Sequence, residues 1–387
     1  MLDPLWFSAR VASELGRLGW ARLVGDRGGV PAHIHDVDAR WLEHALSTRF
    51  PGTRVESLEV VGGDAGTTQR HRLSVRYAAG EDAGDAPTSL FAKVPPPAFA
   101  GQFFLHLFAL GVNEARFYRD VRPGLPVAAP ECFAARWNDA GRFVLILEDL
   151  APARAEFSTV LDPTSLERAK AVASALATLH AAYWGDETAR RWPWLPTPAR
   201  SESNAAVERF VCERAHAPTM KRFADLLPES VRRGAARIHA ERRALERYWA
   251  RGPRTLIHGD PHIGNIYFVD GHPGFFDWQV VHYHQGVRDL AYFLILSLDT
   301  DVRREHERAI FRIYLERLRE CGVPPGALDP DRLWDSYRSF SLYAYIGTSV
   351  TASLGGLQAQ DIARTGLRRA ATAVDDLDAL ALLDRLG

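Results

Sequence analysis

The sequence predicts an α+β fold in two parts, an antiparallel sheet within residues 1–150 and a larger, mainly helical portion over 151–387. Three observations predict it. Between about 55 and 150 the apolar residues come in short, β-branched, alternating runs. One is "HRLSVRY", in which Leu73, Val75 and Tyr77 are separated by polar neighbours. From about 163 onward they recur at helical spacing, as in "SLERAKAVASALATLHAAYW". Finally, 387 residues of which 47% are hydrophobic can build two cores without disulfide or metal staples.

Taken in order, residues 1 to about 50 read as helices; "DVDARWLEHALSTRF" sets Trp41, Leu42, Ala45 and Leu46 on one face. "VESLEVV" and "HRLSVRY" read as paired strands, "AGEDAGDAPT" as a loop, and "SLFAKV" as a third strand stopped by Pro95, Pro96 and Pro97. A helix carrying "GVNEARFYRDV" and a strand "RFVLILEDL" complete the first part, with the boundary near Asp149. Arg-rich amphipathic helices follow to about 250. "TLIHGDPHIGNIYFVDGHPGFFDW" then interrupts them with short strands, before the apolar helix "DLAYFLILSL" and further helices to the end.

Composition excludes several classes of function. The formal charge of −1 gives no reason to expect a nucleic acid or an anionic membrane as partner. Cys132, Cys212 and Cys321 are odd in number and widely spaced, which suits a reducing compartment better than a disulfide framework. The opening residues, with Asp3 and internal arginines, do not read as a signal peptide, and the uncharged run from Ser339 to Gln360 reads as a buried helix. A cytoplasmic protein with no membrane span is expected. Of 47 basic residues only Lys93, Lys170 and Lys221 are lysines. Each marks a place where a compact ammonium is not interchangeable with a guanidinium fork.

The chemistry concentrates between Thr255 and Trp278. "NIYFV" and "GFF" pair as a hairpin across Asp270, Gly271, His272 and Pro273, so that Asn265 and Asp277 meet at its open end. Asp260 lies five residues before Asn265. Two carboxylates and an amide oxygen converging on one point form a hard donor set suited to Mg²⁺. Each residue also has a plainer reading: Asp260 as a turn cap, Asn265 as a residue tolerant of left-handed backbone, Asp289 as a helix N-cap. A different grouping, His258, Asp260, His262, His282 and His284, offers ligands for a zinc hydrolase, although no H-E-x-x-H helix is present.

"HGDPHIGN", followed by "FFDWQ" and "GVRDLAYF", resembles the aminoglycoside phosphotransferase / choline kinase-like family of small-molecule kinases, from about residue 55 to about 300. The resemblance implies a bilobal, protein-kinase-like fold and transfer of the γ-phosphoryl group of ATP, with Mg²⁺, to a hydroxyl of a small molecule. It makes Asp260 the catalytic base, Asn265 and Asp277 the metal ligands, and Asp289 a brace for the catalytic loop, which His258 and His262 help to orient. Lys93, in the third strand, falls where kinases keep the lysine that contacts the α- and β-phosphates, and Glu114 is its natural partner. Gly62, Gly63 and Gly66, between the first two strands, would let backbone amides approach the phosphates. Main-chain groups near Ile146 to Glu148 would face adenine. A nucleotide-binding regulatory module without transfer activity is the alternative from another class. Protein phosphorylation is disfavoured, because nothing resembles the A-P-E segment that ends a protein kinase's activation loop.

Overall fold

The computed structural model describes residues 11–20, 29–78, 84–139, 141–197, 202–354 and 358–386. The chain divides into two compact units: Met1–Leu125 with Ala129–Ala155, and Pro126–Ala128 with Glu156–Gly387. The α+β class read from the sequence is the one found, with an antiparallel sheet first and helices dominating afterwards.

In the first unit, residues 11–20 are helical and α1 spans Ala39–Leu46, its first turn capped by Asp38, which accepts the Trp41 N–H. The rest of the expected leader, 1–10 and 21–28, lies outside the described residues, as does part of the expected loop, 79–83. Five antiparallel strands follow: β1 (Val55–Ala65), β2 (Gln69–Tyr77), β3 (Ser89–Val94), β4 (Cys132–Trp137) and β5 (Phe143–Glu148), in the order β1-β2-β3-β5-β4. Sequence reading missed β4, whose "CFAARW" carries little alternation. It also missed helix α2 (Phe99–Leu107), which is apolar on most sides. One face of the sheet supplies Leu73, Val75, Leu90, Ala92, Val94, Val144 and Ile146 to a core closed by Ile34, Leu42 and Leu46. Residues alternate across a strand, so Lys93 lies on the opposite face, toward α3 (Leu110–Arg116).

The second unit opens with β6 (Glu156–Phe157) and α4 (Leu166–Ala182), whose N-cap Ser165 accepts the Arg168 N–H. Helices α5 (Glu187–Arg191), α6 (Glu202–Phe223), α7 (Glu229–Ala240) and α8 (Arg242–Trp249) follow. Then come the short strands β7 (Thr255–Ile257), β8 (Ile266–Val269), β9 (His272–Phe275) and β10 (His282–His284). β7 pairs with β10, and β8 lies between β6 and β9. Helices α9 (Val287–Ser297), α10 (Thr300–Glu320), α11 (Pro330–Leu354) and α12 (Gln360–Asp376) complete the unit. The run Ser339 to Gln360 falls largely in α11. Among the described residues no helix is long and apolar enough to cross a membrane.

The β8–β9 turn is tighter than expected. Asp270 and Gly271 alone make it, both at positive φ (49° and 79°), while His272 and Pro273 belong to β9 and pair with Val269 and Phe268. Two consecutive left-handed residues match the twist of flanking strands, which is why Asp-Gly suffices.

Candidate active site

In the first unit the strand register sets Lys93 between Arg70 and Leu145. Its Nζ lies 2.9 Å from Glu114 Oε1 and 2.7 Å from Oε2, and the two side chains are 4% and 1% exposed. This burial rules out a surface salt bridge. An ammonium and a carboxylate both removed from water are tolerated only because each compensates the other. Sequence reading missed what brings α3 so near. Gly111 lies against the Phe143 ring, where a Cβ would stand 2.1 Å from ring atoms, and Glu114 follows three residues later on the same helical face. The expected glycine-rich turn is shorter than the sequence suggested. Gly62 and Gly63 sit within β1, opposite Arg72 and His71, after an irregularity in the ladder at Val60. Gly66 alone is in the turn, its N–H donated to the Thr68 carbonyl at 3.0 Å. Ile146 is paired on both sides, with Ala92 and Ala134. Glu148 ends its strand, its N–H on the Glu131 carbonyl and its carboxylate accepting the Glu131 N–H.

In the second unit β7 delivers the chain into the loop His258–Asn265, which lies along α9 and is tied to it at both ends. Asp289, fully buried, accepts the N–H groups of His258 (2.7 Å) and Gly259 (2.9 Å). Ser297, at the far end of α9, accepts the Ile263 N–H at 3.0 Å. Asp289 is therefore a brace; α9 is preceded by Gly286, and the carboxylate makes no cap bond to its own helix. His180 presents Nε2 to Asp289 at 3.2 Å, and its Nδ1 meets the Tyr314 hydroxyl at 2.9 Å. Burial opposes the charge on Asp289. His180, His258 and the Gly259 amide outweigh it and hold the carboxyl below its ordinary value. Gly259 cannot be another residue: its φ is +89°, and a Cβ would stand 2.3 Å from the Val280 carbonyl oxygen.

The loop's own residues then meet. Asn265 Nδ2 donates to the Asp260 carbonyl (2.9 Å) and to its carboxylate (3.2 Å), so the amide oxygen is the atom left to face a cation. The Phe276 N–H donates to the Asn265 carbonyl at 3.1 Å. This extends the hairpin by one pair and sets Asp277 beside the same end, in left-handed backbone (φ 63°, ψ 62°). His258 fastens the two strands of this arrangement together. Its Nε2–H donates to the Phe276 carbonyl (2.9 Å), its Nδ1 accepts the Asp260 N–H (3.3 Å), and its ring lies on Trp278 with centroids 4.4 Å apart. Burial lowers its pKa, against the pull of Asp289, the Phe276 carbonyl, Asp260 and Asp277, so it is a neutral positioning group. His262 accepts the Gly264 N–H through Nδ1 (3.1 Å) and places Nε2 3.8 Å from the Asp260 carboxylate.

The histidine-zinc grouping is overturned by these same bonds. His258 has both nitrogens committed. His282 gives Nδ1 to the Val280 carbonyl and Nε2 to Arg288, and His284 Nδ1 accepts the Gln285 N–H. Among the described residues no three His, Cys, Asp or Glu side chains are grouped to hold a metal.

Tyr292 also escaped the sequence reading. It follows Asp289 by three residues on α9 and is the one residue of that helix that is only part-buried. Burial, the Asp260 charge and a hydrogen bond to the Asp260 carboxylate raise its pKa well above the usual phenol. The i, i+3 spacing from Asp289 in "RDLAY" was the available signal.

The first unit thus holds a buried lysine–glutamate pair on its sheet, and the second a loop carrying an aspartate and an amide beside a hairpin aspartate. The sequence profile of the Phosphotransferase enzyme family matches residues 70–327, and the chain belongs to that family. Among solved structures, it is similar to the choline kinase LicA of Streptococcus pneumoniae (14% identity, 88% of this chain and 98% of that one, TM-score 0.48). It is also similar to the macrolide 2′-phosphotransferase MphH of Brachybacterium faecium (19%, 87% and 97%, TM-score 0.45). A third is a choline/ethanolamine kinase family protein of Mesorhizobium loti (15%, 88% and 98%, TM-score 0.47). No curated protein matches the chain.

Proposed function

We propose that the chain moves the γ-phosphoryl group of ATP, in the presence of Mg²⁺, to a hydroxyl of a small molecule. The observation that carries this reading is the Asp260–Asn265 bond beside Asp277: a base and two hard oxygen donors held on one loop and one hairpin end. The donor set fits Mg²⁺, since the Asn265 amide nitrogen is spent on Asp260 and oxygen is what remains, and Asp277 follows directly on the Phe276–Asn265 backbone pair. Bound there, the ion would neutralise phosphate oxygens and the leaving diphosphate.

The chain's own residues do the rest by placement and charge. Asp260 accepts the acceptor's hydroxyl proton while that oxygen bonds to the γ-phosphorus. The bond from phosphorus to the bridging oxygen breaks, and ADP leaves. Lys93, fixed by Glu114, presents an ammonium to the α- and β-phosphates. Gly62, Gly63 and Gly66 are proposed to keep the β1–β2 hairpin slim enough to lie over them. The main chain at Ile146 to Glu148 is proposed as the adenine contact, with Glu148, at the strand's end, the better placed. The test is calorimetric titration of ATP with and without Mg²⁺ on the wild type and Asp277→Ala. Binding that requires Mg²⁺ and is lost in Asp277→Ala supports the reading. Equal ATP affinity in both proteins, whatever the metal, refutes it.

A further inference from the structure

Arg288 is the second residue of α9 and only 6% exposed. A guanidinium so far out of water ordinarily has a carboxylate beside it, because burying an unpaired charge is costly. Among the described residues Arg288 has none within ion-pair reach. Its side chain has one hydrogen-bond partner, His282 Nε2, and Nε is buried without any. Neither nearby imidazole can serve as counter-charge. His282 donates Nδ1–H to Val280 and offers Arg288 a lone pair, and His284 is held neutral by burial and by Arg288 itself. Asp289, next in the chain, is spent on the loop amides. The guanidinium lies over the Tyr343 ring, 3.8 Å from its centroid.

Arg288 is also close to the reaction. It and Tyr292 stand four apart on α9, hence on one face, and the Tyr292 and Tyr343 rings are 5.9 Å apart. Both phenols feel the charges of Asp260 and Arg288, so these four side chains share one neighbourhood. On α9 and the middle of α11, otherwise buried, Tyr292, Tyr343 and Gly347 are the positions that open to solvent, and a Cβ on Gly347 would still be 4.0 Å from the Tyr292 hydroxyl. A part-exposed patch near Asp260, edged by two phenols and backed by a guanidinium with no carboxylate partner among the described residues, suits a negative group on the acceptor.

We propose that the phosphoryl acceptor is an anion, carrying a carboxylate or phosphate that Arg288 holds while its hydroxyl meets Asp260. This rests on the phosphotransferase reading and narrows its substrate class. The test uses the full chain with Mg²⁺ and ATP and measures acceptor-dependent ADP release for matched pairs: glycerate against glycerol, quinate against inositol, ribose 5-phosphate against ribose. The charged member of at least one pair is expected to exceed its neutral counterpart by about tenfold or more in kcat/KM. The carboxylate and phosphate pairs show which oxyanion is preferred. Arg288→Gln should erase that preference and Arg288→Lys restore part of it. Melting of Arg288→Met gives a readout that needs no acceptor. A guanidinium kept for a ligand is a liability in the free protein, so this variant should melt at or above the wild-type temperature. Neutral members reacting as fast as charged ones, or a preference that survives Arg288→Gln, overturns the proposal and leaves the phosphotransferase reading standing. So does a clear drop in the Arg288→Met melting temperature. Absence of Mg²⁺-linked ATP binding in the wild type would instead remove the reading beneath it.

Discussion

The two units fix their key side chains by opposite means. In the first, Lys93 is held against an opposite charge, Glu114, brought in on a neighbouring helix and sealed from water. In the second, Asp260 makes no close ion pair with an arginine or lysine among the described residues. Its loop hangs on main-chain N–H groups donated to Asp289 and Ser297, on a neutral His258, and on the Asn265 amide. Under the proposed function the contrast suits the tasks: an ammonium meant for phosphates is kept charged by a buried carboxylate, and a base is aimed by hydrogen bonds within its own loop.

The largest effect expected from breaking this comparison is at Asp260 itself. Asp260→Asn retains the Asn265 and Tyr292 contacts in shape but cannot take the proton. Turnover should fall by about 10²–10⁴-fold with Mg²⁺–ATP affinity kept. Near-wild-type kcat in that variant would mean that another group is the base.

Next come the two supports, where the comparison predicts different signatures. Lys93→Met leaves Glu114 charged and buried, costing about 3–5 kcal/mol, and Lys93→Met with Glu114→Leu should recover most of that loss while remaining inactive. Asp289→Asn strands one loop amide against an amide nitrogen and should cost about 1–3 kcal/mol; no second substitution of similar simplicity repairs it, because the partners are main chain. Denaturant midpoints for the four proteins decide this. If the double variant were no more stable than Lys93→Met, the pair is not what compensates Glu114.

The effect that is smallest near neutrality, and grows only in acid, is that of pH. His258, His282 and His284 all have lowered pKa values through burial first; His282 is pushed down to about 3, with Arg288 adding to the effect. For a group whose folded pKa is depressed, the unfolded chain takes up protons first. The stability it contributes is complete above the unfolded histidine value of about 6.5 and declines as pH falls from there toward the folded value. Asp289 adds to the loss only below the unfolded carboxylate value of about 3.9. Denaturant midpoints should therefore drop steadily between about pH 6.5 and about pH 4. His282→Gln should flatten the slope; an unchanged slope would mean that His282 titrates alike in both states.

Much of this molecule is written locally. Alternation in "HRLSVRY", the Asp-Gly turn, the Ser165 cap and the spacing of Asp260, Asn265 and Asp277 are short-range facts. They are decided by backbone sterics and by the period of apolar residues, and they were enough to read the α+β class and to name the residues that converge on the hairpin end. Strand β4 and helix α2 were lost because their patterns are weak by themselves and become stable only against neighbours. What no spacing could announce is who meets whom across the chain. Only the sheet register and the Gly111–Phe143 contact turn Lys93 and Glu114 into a buried pair, and only the run of the loop along α9 makes Asp289, Tyr292 and Ser297 its supports. That Arg288 meets no carboxylate among the described residues is likewise a fact of three dimensions, since sequence lists the carboxylates of a chain but not which of them a buried cation can reach. Burial and pairing are properties of tertiary neighbours, and they decide whether the same side chain is a surface ornament or part of the chemistry.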